Sequence, residues 1–482
     1  MRRRAIILVI LIAGCANQVP PTASPSLIPT DAPTATPSQA PTITPSATNT
    51  QVPPSPTEAL PGAFVVDQAL IGDHLDALQQ IADDNNGIRG AGTPGYGASA
   101  DYVAQVMTDL GYQVERQPFD FPFFNETEPV TLTVGDETWT SPEWVHAALY
   151  SASGDVEGAL EAVGGGCNPG EWSGFTAGHV AWVEAGGCFT RQKVENAQSA
   201  GAVAMISFYP FWEKDQIRRP TLLDPAAITI PVVAAGRGPW ETLARNADFE
   251  GATTRISVHG DSHTATVDNV IATLPGQTDD VVMLGSHLDS VLDGPGINDN
   301  GSGVATLMSL AVSVAAHPQP VPTIRFGFWS AEEFGDLGSM AYVNQLGFED
   351  QQRITAYLNL DMVASPNPGR YVYDNAGAPI GSSEITQDLL DALASFDAPG
   401  LAVDLGANSD HFAFAQAGVP IGGVFSGLDP KSPGDAQMFG GTAGVPEDPC
   451  YHLACDTLDN IDLANAALLG QAVADVLYRL AY

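Results

Sequence analysis

"VVMLGSHLDSVLDGPGINDNGSG", residues 281–303, reads as an apolar strand that runs directly into a loop holding one histidine, three aspartates and many small residues. The start is short and apolar enough for a core strand, and the glycines and proline mark the turn after it. The pattern repeats on both sides. "DNVIATLPG" precedes the stretch, "GVATLMSLAVSVAAH" follows as a helix, and "TIRFGFWSAEE" and "AYLNLDMV" read as further strands. "IDLANAALLGQAVADVLYRLAY" closes the chain as an amphipathic helix. This alternation predicts a three-layer α/β/α sandwich built on a mostly parallel mixed sheet.

In such sheets ligands gather beyond the carboxyl ends of the strands. Three apolar runs here end in groups that bind metal. "VVMLGSH" delivers His287 and Asp289, "IRFGFWSAEE" delivers Glu332 and Glu333, and "AYLNLD" delivers Asp361. The loop after the first run adds Asp299, and "PCYHLACD" adds His452 between two cysteines. Two histidines and three carboxylates suit a pair of divalent ions, zinc first, with manganese or cobalt behind. A carboxylate shared between the ions leaves each with room for a water. Asp293 has no partner in this scheme and is expected in solvent. His74, His146, His179, His259, His263 and His317 sit in helix, insert or loop contexts without evident partners and read as packing or surface residues.

"HLDS", "NDNGSG", "SAEEFGDLGS", "NLDM", "SDHFAFAQAGVP" and "CYHLACDTLDN" occur in the order seen in the co-catalytic di-zinc aminopeptidases, the aminopeptidase S and aminopeptidase Y type. The chain resembles that family over residues 68–128 and 268–482. The resemblance implies the zinc exopeptidase fold and two Zn²⁺ per chain. His287 and Asp361 would hold one ion, Glu333 and His452 the other, and Asp299 would bridge them. It further implies Asp289 as the acid that orients the His287 imidazole and Glu332 as the general base. Tyr451 would donate to the tetrahedral oxyanion, and the Asp299–Asn300 peptide would be cis. His411, in "SDHFAF", belongs to the same motif set without an assigned contact. Between the two matching parts, "GHVAWVEAGGCFTRQKVENAQSAGAVAMI" resembles the protease-associated domain, a β-rich non-catalytic insert.

The first residues resemble a bacterial lipoprotein signal. Three arginines precede "AIILVILIA", too short to span a bilayer, and "IAGC" follows with Gly14 directly before Cys15. Cleavage after Gly14 and lipidation of Cys15 are implied, which places the protein at the cell surface, anchored to the membrane. Four further cysteines in an exported chain most simply form two disulfides, Cys167 with Cys188 and Cys450 with Cys455; a zinc site made of all four is the alternative. A disulfide at Cys450–Cys455 would stiffen the loop carrying Tyr451 and His452. The net charge of −38, with 18 basic residues against 56 acidic ones, excludes nucleic acid as a partner.

The expected organisation is a signal peptide over 1–14, a Pro/Thr/Ser-rich linker over 15–62 and a first peptidase part over 63–129. The protease-associated insert covers 130–265 and the catalytic part 266–482. The expected function is removal of N-terminal residues from peptides with a free N-terminus. A carboxypeptidase or other exopeptidase of the same family is one alternative, and a catalytically inactive peptide-binding module is another. No candidate ligand or acid–base group lies within 130–265, so the insert is expected to shape access rather than chemistry.

Overall fold

Val281–His287 is a central strand of an eight-stranded mixed sheet. In order across the sheet run Gln113–Glu126, Gly260–Leu274, Thr323–Trp329, Val281–His287, Ile354–Leu360, Ile421–Phe425, Tyr371–Tyr373 and Leu401–Val403. Strands 323–329, 281–287, 354–360 and 421–425 are mutually parallel, and each flank begins with an antiparallel neighbour. The structure is a computed structural model that describes residues 62–223, 228–245 and 249–482. The signal, Cys15 and nearly all of the proline-rich linker lie outside the described residues.

A strand points successive side chains to opposite faces, so a fully apolar strand needs cover on both. All seven residues of Val281–His287 are buried. Val282 and Leu284 face the larger core, whereas Val281 and Met283 face a smaller one. Helices Gln68–Asp84, Pro94–Asp109, Gly303–Ala315, Ser382–Ser395 and Leu463–Ala481 close the larger core. Helices Leu337–Gln345 and His411–Gln416 close the smaller. The three expected layers are present. Leu463–Ala481 shows why: it buries Leu469, Val473, Val476 and Leu477, spaced as one helical face, and Asp462 caps it by accepting the Asn465 amide. Each such side chain contributes about 1.5–3 kcal/mol by leaving water.

A second eight-stranded sheet is assembled from strands lying between Thr131 and Val258. It hangs from a two-stranded ribbon. Gln113–Glu126 pairs antiparallel with Gly260–Thr273 along its whole length, from Gln113 opposite Thr273 to Glu126 opposite Gly260. Only Val270–Leu274 of the return strand also pairs with Thr323–Trp329, so the far part of the ribbon leaves the first sheet. Cys167–Cys188 and Cys450–Cys455 are both disulfides, which rules out a four-cysteine zinc site.

Candidate metal centre

The parallel strands end together, and their ends bring the candidate ligands into one place. His287 closes its strand, Asp361 follows Leu360, and Glu332 and Glu333 follow the strand that ends at Trp329. Asp299 arrives from the loop beyond His287. That loop folds back through the buried segment Ile297–Ser302, in which the Asp299–Asn300 peptide is cis. Asn300 ties the return down: its amide donates to Ser286 Oγ and to the Leu360 carbonyl, and its Oδ1 accepts from the Gly303 and Met362 amides. Gly303 has to be glycine, because a Cβ there would lie 2.4 Å from both Asn300 Oδ1 and the Leu360 carbonyl oxygen.

Asp299 stands between the two histidines. Its Oδ1 is 3.2 Å from His287 Nε2 and its Oδ2 is 3.1 Å from His452 Nε2. Asp361 Oδ1 lies 3.3 Å from His287 Nε2, and Glu333 Oε2 lies 3.1 Å from His452 Nε2. The candidates fall into three overlapping triads, His287–Asp299–Asp361, Asp299–Glu333–His452 and His287–Glu332–Glu333, and Asp299 is shared by the first two. Glu332 Oε2 stands farther off, 3.8 Å from His287 Nε2. The donor set fits divalent zinc: imidazole nitrogens and carboxylate oxygens, nearly enclosed. Glu333 Oε1 and Asp361 Oδ1 are buried with no hydrogen-bond partner among the described residues, which fits oxygens placed to hold a cation.

Asp289 holds the site together differently from the expectation. His287 Nδ1 is 3.1 Å from the Asp289 main-chain carbonyl and 3.8 Å from the carboxylate. The carboxylate instead accepts the backbone amides of Glu332 and Glu333. One residue thus fixes the ring of one ligand and the backbone of another. Burial pushes the Asp289 carboxyl up to about 7. Burial likewise pushes Glu332 well above the usual carboxylate range, with Asp336, Glu333 and Asp361 adding to it against His287. At His452 burial opposes the charge, but Glu333 and Asp299 prevail and raise the imidazolium to about 10. Ala331, Met362 and His452, each at or beside a candidate ligand, have φ of 55, 51 and 60°. Left-handed backbone at non-glycine residues is strain of the sort that clusters at functional sites.

Two supporting residues were not among the candidates read from the sequence. Arg89, fully buried, donates to the carbonyls of Leu288, Pro295 and Gly296 and so pins the loop between His287 and Asp299. Asp456 accepts the backbone amides of Asn298 and Asp299, which ties the bridging candidate to the disulfide loop of His452. Tyr451 stacks on His452 with ring centroids 3.8 Å apart.

Some expectations need correction. Asp293 is not left to solvent: it pairs at 2.7 Å with Arg219 of the insert. The six remaining histidines all have partners. His74 meets Tyr102, His146 meets Glu126 and His179 meets Glu161. His259 and His263 pair with Asp155 and Asp261, and His317 lies between two main-chain carbonyls. None joins the candidate ligands. His411 is buried against Asn375 and the Gly406 carbonyl and likewise stands outside all three triads.

A family model for peptidase family M28 matches residues 269–477, and one for the PA domain matches 156–243. The chain is 36% identical over 426 residues to an aminopeptidase of Pseudomonas aeruginosa, covering 83% of this chain and 78% of that one. The chain belongs to peptidase family M28. This M28 chain is also 37% identical to the probable lipoprotein aminopeptidase LpqL of Mycobacterium tuberculosis, across 83% of this chain and 82% of the relative. Among solved structures it resembles an aminopeptidase from Aneurinibacillus sp. strain AM-1, with 28% identity and a TM-score of 0.72 over 86% of this chain and 94% of that one. It also resembles BSAP, a zinc aminopeptidase from Bacillus subtilis, with 25% identity and a TM-score of 0.70 over 85% and 95%. Family, fold and donor set together make this M28 chain a metallopeptidase of the aminopeptidase type.

Proposed function

We propose that this M28 peptidase is a di-zinc aminopeptidase, held at the cell surface through Cys15, that removes residues singly from the free N-terminus of peptides. The observation that carries the two-ion reading is Asp299, whose two carboxylate oxygens each face a different histidine. His287 and Asp361 would hold one ion and Glu333 and His452 the other. When bound, such a pair supplies Lewis acidity that polarises the scissile carbonyl and acidifies a water.

The chain's own residues do the rest. Glu332, close to the cluster but in neither triad that holds Asp299, takes a proton from the attacking water and returns it to the leaving amine. Tyr451 donates its hydroxyl hydrogen to the oxyanion as the carbonyl becomes tetrahedral. Asp289 keeps Glu332 and Glu333 at their posts by holding both amides. The aminopeptidases of Pseudomonas aeruginosa and Bacillus subtilis to which the chain is similar support a substrate with a free ammonium. A narrow pocket lined by Leu149, Leu292, Phe334, Asp293 and Arg219 reaches Glu333 and His452.

The lipoprotein name of the Mycobacterium tuberculosis relative supports the anchor. A panel of aminoacyl-nitroanilides with N-acetylated controls tests the activity. Free-amine substrates should be cleaved and acetylated ones left intact. Equal cleavage of both would discard the aminopeptidase reading.

A further inference from the structure

The insert sends two neighbouring arginines to the metal centre. Arg219 is nearly buried, donates from Nη2 to Asp293 Oδ1 at 2.7 Å and lies 3.7 Å from Glu126 Oε2. It anchors the insert to the loop that separates His287 from Asp299. Arg218 places its Cζ 4.6 Å from the centroid of the Tyr451 ring. Its Nε is buried and has no hydrogen-bond partner among the described residues. The guanidinium lies over the face of that ring, with the carboxylates of Asp448, Asp429 and Asp299 also acting on its charge. Tyr451 in turn stacks on His452, and the Cys450–Cys455 disulfide closes the loop that carries both.

We propose that Arg218 is a positioning residue for Tyr451, so that the insert takes part in turnover as well as in access. This rests on the reading of Tyr451 as the oxyanion donor. A phenol reaches its target only if its ring plane is fixed, and here one covalent loop and two stacked neighbours set that plane. The imidazole comes from the peptidase part. The guanidinium comes from the insert, is half-buried and is attracted to the electron-rich ring face. Loss of the cation leaves the hydroxyl in place chemically but lets the ring wander, which slows the step in which the oxyanion forms. Ground-state binding and the ions are untouched.

The test uses the full chain and a leucyl-nitroanilide. Arg218→Met, which keeps most of the stem and removes the charge, should lower kcat roughly 3- to 30-fold, the factor that corresponds to a half-buried cation–ring contact. KM and zinc content should stay within about twofold. Arg218→Lys should recover most of the loss. Tyr451→Phe should be slow by itself, and adding Arg218→Met to it should cost nothing more, since both act through one hydroxyl. Wild-type kcat in Arg218→Met, no recovery with lysine, or effects that multiply in the double variant would each overturn the proposal. Full activity in Tyr451→Phe would overturn it by a separate route, by removing the hydroxyl from the reaction. Loss of zinc from Arg218→Lys would assign the residue a purely structural part and overturn it too.

Discussion

Asp299 is the residue common to two of the triads. Replacing it with alanine should cost both ions together, read as zinc per chain by elemental analysis, whereas Asp361→Ala should leave part of the zinc in place. Glu332 and Glu333 are adjacent and should separate cleanly. Glu332→Gln should keep its zinc and lose about 10²–10⁴ in turnover, the usual range for an acid–base group; Glu333→Gln should lose zinc. Full turnover in a zinc-loaded Glu332→Gln would remove it as the base. Protons compete with the metal as well. Because Glu333 and Asp299 raise the His452 imidazolium to about 10, a metal must displace that proton at any lower pH. Apparent zinc affinity should therefore rise as pH goes from 6 to 9, measured by competition with a chelator of known affinity. A flat profile would mean that His452 gives up no proton on binding. The candidate ligands were legible because they sit at strand ends in a recognisable order. Arg89 was not, since its partners are main-chain carbonyls that leave no mark on the sequence. Asp293 was misread for a related reason: its partner Arg219 lies 74 positions away.

At the level of elements, the ribbon is where the two sheets are joined. Glu126, its last residue on the outgoing strand, accepts the Ala147 amide, pairs with His146 and lies near Arg219. Burial works against its charge, but His146, Arg219 and that amide outweigh it and hold the carboxyl below the ordinary range. The native state therefore takes up this proton less readily than the unfolded chain. The resulting stability is complete above the ordinary glutamate value, about 4.3, and is lost as pH falls through the lowered one. Glu126→Gln should be destabilised by about 1–3 kcal/mol at pH 7, and the gap to wild type should close below pH 4, followed by thermal unfolding. A gap that stays constant with pH would show that the carboxylate charge does not matter. The sequence shows strand character in "QVERQPFDF", yet the ribbon itself was out of reach. Pairing of Gln113 with Thr273 depends on a partner more than 150 residues away, and no local pattern encodes that register.

For the molecule as a whole, the fold class was readable because strand–helix alternation is a local property repeated many times. The contact of the insert with the catalytic loops was not, because Arg218 and Arg219 look like any exposed basic pair until the chain is folded. At this scale the anchor can be tested. The full chain should partition into the detergent phase on cloud-point separation, and Cys15→Ser should move it to the aqueous phase with kcat unchanged. Aqueous partition of the lipidation-competent chain would discard the anchor. The ribbon has one more consequence. Glu126 and Gly260 face each other across a ladder, so the chain leaves the peptidase and re-enters it at a single point. To the first sheet, everything from residue 127 to 259 is topologically one hairpin turn. A gene could lose or exchange that whole module, as a lens is changed on a mount, without shifting the register of any catalytic strand. What the exchange would have to supply again is an arginine for Tyr451.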